Sequence, residues 1–131
     1  VIGYHLADLF FMILHPAIIA FNCLGWIWKK TRAYNLILLL LTGAPWFVLG
    51  IWKGWGYCIC TDWHFRVLTK LGYEDLPNSY ITFFIQRISG VDVNANLVDI
   101  LTLTVYVTAL LLSIAVNLNA RTAKRIRNPR Q

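Results

Sequence analysis

The sequence predicts an all-α membrane protein with three transmembrane helices and two short amphipathic helices in the loop between the second and third spans. Three observations lead there. The chain is 58% hydrophobic and only 14% charged, against about a quarter charged in soluble domains. Three stretches, Leu9 to Trp28, Ala33 to Trp52 and Ile100 to Ala120, contain no formally charged side chain. Each is about the 20 residues that a helix rising ~1.5 Å per residue needs to cross a hydrocarbon core of roughly 30 Å. Finally, the charges are segregated by position along the chain, as the positive-inside rule requires.

In chain order, the spans are expected at about 6–28, 33–52 and 97–119, within a single membrane domain of 1–120. Only Lys29, Lys30, Thr31 and Arg32 separate the first two, so these form an antiparallel hairpin. The start of the chain carries no basic n-region and no small-residue cleavage site of a secretory signal. His15 falls near mid-membrane and is followed by Pro16, whose missing N–H frees the carbonyl of Met12 and bends the helix.

Residues 53–96 form a long outer segment, and long loops carry structure or function. Thr61 is placed as an N-cap, after which Trp63, Val67 and Leu71 share one helical face and Asp62, Arg66 and Lys70 another. After Pro77, the positions Ile81, Phe84, Ile85 and Ile88 follow helical spacing, beside a polar stripe of Ser79, Thr82, Gln86 and Ser89 that ends at Gly90. A helix of about 12 residues reaches less than 20 Å, too short to span, so it is expected to lie in the interface with its apolar side down. Trp52, Trp55, Tyr57 and Trp63 suit an aromatic belt at the headgroup level.

Orientation follows from the charges. The tight turn is basic, and so is the tail 121–131 with Arg121, Lys124, Arg125, Arg127 and Arg130, which is expected to fray against anionic lipid. All six acids, Asp8, Asp62, Glu74, Asp75, Asp92 and Asp99, fall at the opposite end. The expected setting is a bacterial cytoplasmic (inner) membrane, with the N-terminus outside and the C-terminus cytoplasmic. The net charge of +6 is accounted for by this placement, and nucleic acid is not an expected partner.

Inside the membrane, Asp8, His15 and Asn22 recur every seven residues along one face of the first span. On the last span Asp99, Thr102, Tyr106, Ala109 and Ser113 form a comparable seam, and the second offers Asn35, Thr42, Gly43 and Gly50. Polar and small side chains mediate close helix packing in lipid, so these faces should meet in a three-helix bundle or meet a partner. As chemistry rather than packing, His15 is the candidate cofactor ligand, for a haem or chlorin. A bis-His haem would need a second intramembrane histidine, which neither other span supplies.

The segment Trp55 to Arg66 concentrates the most side-chain chemistry. Cys58, Cys60 and His64 give C-x-C-x3-H, with His5 as a possible fourth ligand, a donor set suited to zinc or copper. The spacing matches no strong zinc signature, and two small residues buried at a tight turn explain the cysteines as well. Asp62 and His64 are two residues apart, which does not place them together on a helix for acid–base work.

From Gly56 to Arg66 the pattern resembles a family of small bacterial integral-membrane proteins known as domain of unknown function 2784, whose hallmark is G-x-C-P-L-T-x-x-E-x-x-L-R. Gly56, Cys58 and Thr61 match, Ile59 and Cys60 replace Pro-Leu, His64 replaces the Glu, and Arg66 falls near the family's Arg. The likeness extends over about residues 10–110, taking in His15, Gly25-Trp26 and Gly72-Tyr73. It implies the fold and topology and carries no activity. Thr followed three residues later by Glu is a capping box. With His64 in that place, either the helix start is weaker or His64 has another partner.

The function expected from these readings is a non-catalytic accessory or structural subunit of a larger membrane complex, its partners being the bilayer and other membrane-protein subunits, with no required cofactor. The alternative is a metal- or redox-cofactor-binding protein with its site at the outer surface. A carrier or sensor using Asp8, His15 and Asp99 would lack the inverted repeats of transporter designs.

Overall fold

The computed structural model describes residues 1–129; Arg130 and Gln131 of the basic tail lie outside the described residues. The described residues form helices joined by loops, without strands. They are α1 (Ile2–Leu24), α2 (Arg32–Ala44), a π-helical turn (Pro45–Leu49), α3 (Gly50–Lys53), α4 (Ile59–Lys70), α5 (Tyr80–Ser89) and α6 (Ala95–Arg127). The run Arg32–Lys53 is one rod interrupted by the π turn, so three helices are long and apolar enough to cross a membrane: Ile2–Leu24, Arg32–Lys53 and Ala95–Arg127. The chain is an all-α membrane protein with two short helices between its second and third spans.

The first span is displaced from its expected limits and ends at Leu24 instead of near residue 28. Three side chains explain the early stop by taking up the backbone around Gly25. Trp26 Nε1 donates to the Cys23 carbonyl at 2.7 Å, Asn35 Nδ2 donates to the Phe21 carbonyl at 2.7 Å, and Thr31 Oγ1 donates to the Gly25 carbonyl at 2.6 Å. The carbonyls that a helix end leaves open are thus satisfied by side chains. The hairpin loop runs from Gly25 to Thr31, and is longer than the four-residue turn expected. Gly25 is required here, because a Cβ would come within 2.7 Å of the Phe21 carbonyl and 2.9 Å of Asn35 Nδ2.

The last helix is longer than expected. Asn94 caps it by accepting from the Leu97 amide at 3.1 Å, and it continues unbroken to Arg127. Lys124, Arg125 and Arg127 occupy its last turn, where cations are favoured by the helix dipole. This replaces the frayed tail expected after Asn119.

The heptad face of α1 is buried as expected, at Asp8, His15 and Asn22. So are Asn35, Gly43 and Gly50 in the second rod and Tyr106, Ala109 and Ser113 in α6. Asp99 departs from its expected seam: it is exposed, and Val98 takes the inward position. One core joins the second rod to α6 through Leu39, Tyr106 and Ala109, with Trp46 packed on Tyr106 at 4.9 Å between ring centroids. Tyr106 Oη donates to the Leu39 carbonyl at 2.8 Å, and Asn22 Nδ2 donates to Thr42 Oγ1 at 3.0 Å. Asn117 Nδ2 reaches the Arg32 carbonyl at 3.0 Å. A second core, of Leu68, Tyr80 and Phe83, gathers Met12, Ile19, Phe65, Leu76 and Phe84, and mounts α4 and α5 against α1.

Candidate functional site: a charged cluster beneath the helical cap

Three helices remote in sequence converge on Asp8. From α5, the Arg87 guanidinium meets the carboxylate with both prongs, Nη1 to Oδ1 at 2.9 Å and Nη2 to Oδ2 at 2.7 Å. From α4, His64 Nε2 approaches Oδ1 at 2.7 Å. The Asp8 side chain is 10% exposed and that of His64 is fully buried. The fork geometry of arginine matches a carboxylate on two parallel hydrogen bonds, which gives direction as well as charge pairing. A carboxylate only accepts, so the His64 proton sits on Nε2. Its Nδ1 is left buried without a hydrogen-bond partner.

Aromatic rings enclose the pair. The His64 ring stacks on Phe11 (centroids 5.3 Å apart, planes at 20°) and meets the edge of Phe83 at 5.7 Å. Arg87 lies over the rings of Phe83 and Tyr73, at 5.7 and 5.5 Å, as a guanidinium favours. Two turns along α1 from Asp8, His15 stacks almost parallel on Tyr80 with centroids 3.7 Å apart, and Tyr80 Oη donates to Met12 Sδ at 3.9 Å. Burial is the main cause that holds His64 below the ordinary imidazole range; the Arg87 cation acts the same way and the Asp8 carboxylate against both. Burial likewise pushes the Tyr80 hydroxyl up to about 12, and its bonds to Asp8 raise Arg87 further.

Local sequence explains how His64 and Arg87 arrive there. Helix α4 begins at Ile59 with Cys58 as its N-cap and no side-chain cap bond, so Thr61 is a buried first-turn residue and not the cap expected of it. The inward face of α4 is Thr61, His64 and Leu68, rotated from the expected Trp63, Val67 and Leu71, and Trp63 stays exposed. Of the two possibilities left by the missing capping-box Glu, both hold: the cap is weak and His64 has gained Asp8. On α5, Tyr80 and Phe83 at i and i+3 are buried, Arg87 at i+7 extends from the same face with its side chain 27% exposed, and Thr82 of the expected polar stripe is buried with its hydroxyl unpartnered. Ile88, on the apolar face expected to lie against lipid, is exposed.

The expected ligand set of Cys58, Cys60, His64 and His5 is not brought together. Among the described residues no group of three or more His, Cys, Asp or Glu side chains is placed to hold a metal ion, and His64 is committed to Asp8. Cys58 and Cys60 are free thiols, half-buried, and burial followed by the neighbouring Cys58 raises the Cys60 thiol, which disfavours the thiolate that metals and oxidants require. His15 is 8% exposed with Nδ1 buried and unpartnered, its ring covered by Tyr80. The carrier seam is not assembled either, since Asp8 and His15 share a face while Asp99 is exposed. Sequence reasoning passed over Arg87, which lies outside both the apolar face and the polar stripe expected of its helix. The one available signal was an arginine on the same helical face as Tyr80 and Phe83.

The family described as Protein of Unknown function (DUF2784) matches residues 5–118, and the chain belongs to it. No curated protein and no solved structure matches the chain.

Proposed function

We propose that this chain is a non-catalytic accessory or structural subunit of a larger assembly in a bacterial cytoplasmic membrane, with its N-terminus and helical cap outside and its basic C-terminal end cytoplasmic. The observation that carries the reading is the closure of the charged cluster on itself. Both oxygens of Asp8 are taken, by Arg87 and His64, so these three charged or titratable groups are spent on joining α1, α4 and α5. Such a cluster fixes one geometry, which suits a shape-holding role. The spans support it: only 17%, 22% and 17% of their most apolar windows are buried within the chain, which leaves most of each helix for lipid or neighbouring helices.

Photo-crosslinkers placed in native membranes at exposed span positions such as Leu101, Thr104 and Leu111 test the reading. The expected result is one discrete, stoichiometric companion chain crosslinked from one helix face. Adducts to lipid alone from every face, with a monodisperse monomer after mild extraction, would overturn it. Reporters fused after Arg127 and before Ile2 check the orientation separately, with activity expected in the cytosol and outside, respectively.

A further inference from the structure

The segment that concentrates the motif residues is only partly used by the charged cluster. A separate open cleft of about 350 Å³ lies where the second rod ends, between the Lys53–Cys58 loop, the start of α4 and the Leu76–Asn78 approach to α5. Gly56, Cys58 and Thr61, the three residues that match the family's hallmark, all line it. Gly54 and Gly56 hold positive φ values of 98° and 83°, which carry the loop around the opening without side chains of their own.

The cleft is dipolar. Lys53 Nζ stands over the Tyr57 ring at 5.3 Å, and the hydroxyl of the same tyrosine donates to Asp62 Oδ2 at 3.2 Å. A cation and a carboxylate therefore sit about one tyrosine ring apart. Arg66 also donates to Oδ2, at 3.1 Å, whereas Asp62 Oδ1 accepts from no protein group among the described residues. Helix α4 runs for 12 residues from a Cys58 cap whose side chain makes no cap bond, and it carries Asp62 in its first turn. Thr61 faces the same space, is 8% exposed, and donates no side-chain hydrogen bond among the described residues. The position adds a constraint, because Lys53 is the last residue of a membrane-length rod and Trp52 and Trp55 beside it are 75% and 74% exposed. This is headgroup depth.

We infer that this cleft binds the zwitterionic phosphoethanolamine headgroup of a membrane phospholipid, the phosphate held by Lys53 and Thr61 and the ammonium by Asp62 Oδ1. The apolar rim of Trp55, Phe65 and Leu76 takes the glycerol end. The site is independent of the subunit reading, since it needs no companion chain.

Native mass spectrometry with graded removal of lipid, on the full chain from nanodiscs of mixed phosphatidylethanolamine and phosphatidylglycerol, tests it. One phosphatidylethanolamine should outlast all phosphatidylglycerol. Loss of a charge-assisted contact in Lys53→Gln should weaken retention by about tenfold or more. Asp62→Asn should abolish the preference between the two lipids while retaining phosphate binding, and Lys70→Gln, an exposed charge at the far end of α4, should change nothing. Displacement by soluble glycerophosphoethanolamine would identify a water-borne source of the same group; displacement only by lipid identifies the bilayer. Equal retention of both lipids in the unaltered chain, retention unaffected by Lys53→Gln, or equally effective displacement by inorganic phosphate would each overturn the assignment.

Discussion

The two cores of this protein hold their helices by different chemistry. Between the second rod and α6, contact is made by apolar packing and neutral hydrogen bonds, of which Tyr106 Oη to the Leu39 carbonyl is representative. Between α1 and the α4–α5 cap, it is made by a carboxylate, a guanidinium and an imidazole inside an aromatic shell. In hydrocarbon, helices find each other through close fit and weak interhelical bonds of ~0.6 kcal/mol each, and a broken bond finds other partners nearby. A buried ion pair behaves differently, because removing one partner strands the other charge. The bundle is therefore tolerant where it is neutral and brittle where the cap joins it.

The sharpest way to break that contrast is Asp8→Ala. It unpairs the buried His64 and leaves Arg87, whose side chain is 27% exposed and rehydrates in part, without its carboxylate. The change should cost about 3 kcal/mol, the lower end for a buried pair, read as cap proteolysis between α4 and α5 with the spans still helical by circular dichroism. Replacing Asp8 and Arg87 together by Leu should recover much of the loss. Survival of the cap in Asp8→Ala would show that the aromatic shell suffices.

Gly43→Ala comes next, on the neutral side. A Cβ at Gly43 would overlap the Tyr106 hydroxyl, a clash worth roughly 1–3 kcal/mol in reversible unfolding in mixed detergent. Combined with Tyr106→Phe, which removes that oxygen, the penalty should shrink, so the pair should be strongly non-additive. Tyr106→Phe alone loses only its bond to Leu39, about 0.6 kcal/mol by the usual membrane value. If it costs as much as Asp8→Ala, the two regions do not differ as described.

The subtlest signature is pH. His64 is held below its ordinary range, chiefly by burial, so between the folded value and about 6.5 the unfolded cap binds a proton that the folded cap refuses. Stability contributed by neutral His64 is present above that window and lost as pH falls through it. Hydrogen exchange in α4 should quicken on acidification from pH 7.5 to pH 5, with exchange in α6 unchanged, and His64→Gln should remove the difference.

How much of this was legible in the sequence follows the same division. The neutral seam announces itself, because Tyr106, Ala109 and Ser113 recur at helical spacing on the last span, Asn35 and Gly43 lie on the second, and polar or small residues in charge-free runs have few places to go. The charged junction does not, since Asp8 and Arg87 are 79 residues apart and periodicity within one helix cannot say which loop helix folds back. The rotation of α4 had a local cause: Thr61 looked like a cap by composition, but the chain is already helical from Ile59, and the shift brings His64 inward. Asp99 failed for a related reason, as its neighbour Val98 takes the inward position near the start of α6.

The π turn at Pro45–Leu49 sets the direction of what comes after it. Gly50 N–H bonds back five residues to the Pro45 carbonyl, so the rod holds one more residue in that turn than an α-helix would. Were the same residues wound as regular α-helix, Gly50–Lys53 would swing around the axis by about 100°. Lys53 would leave its place above Tyr57, and the rod would cross the bilayer as before while presenting its terminal cation to a different neighbour.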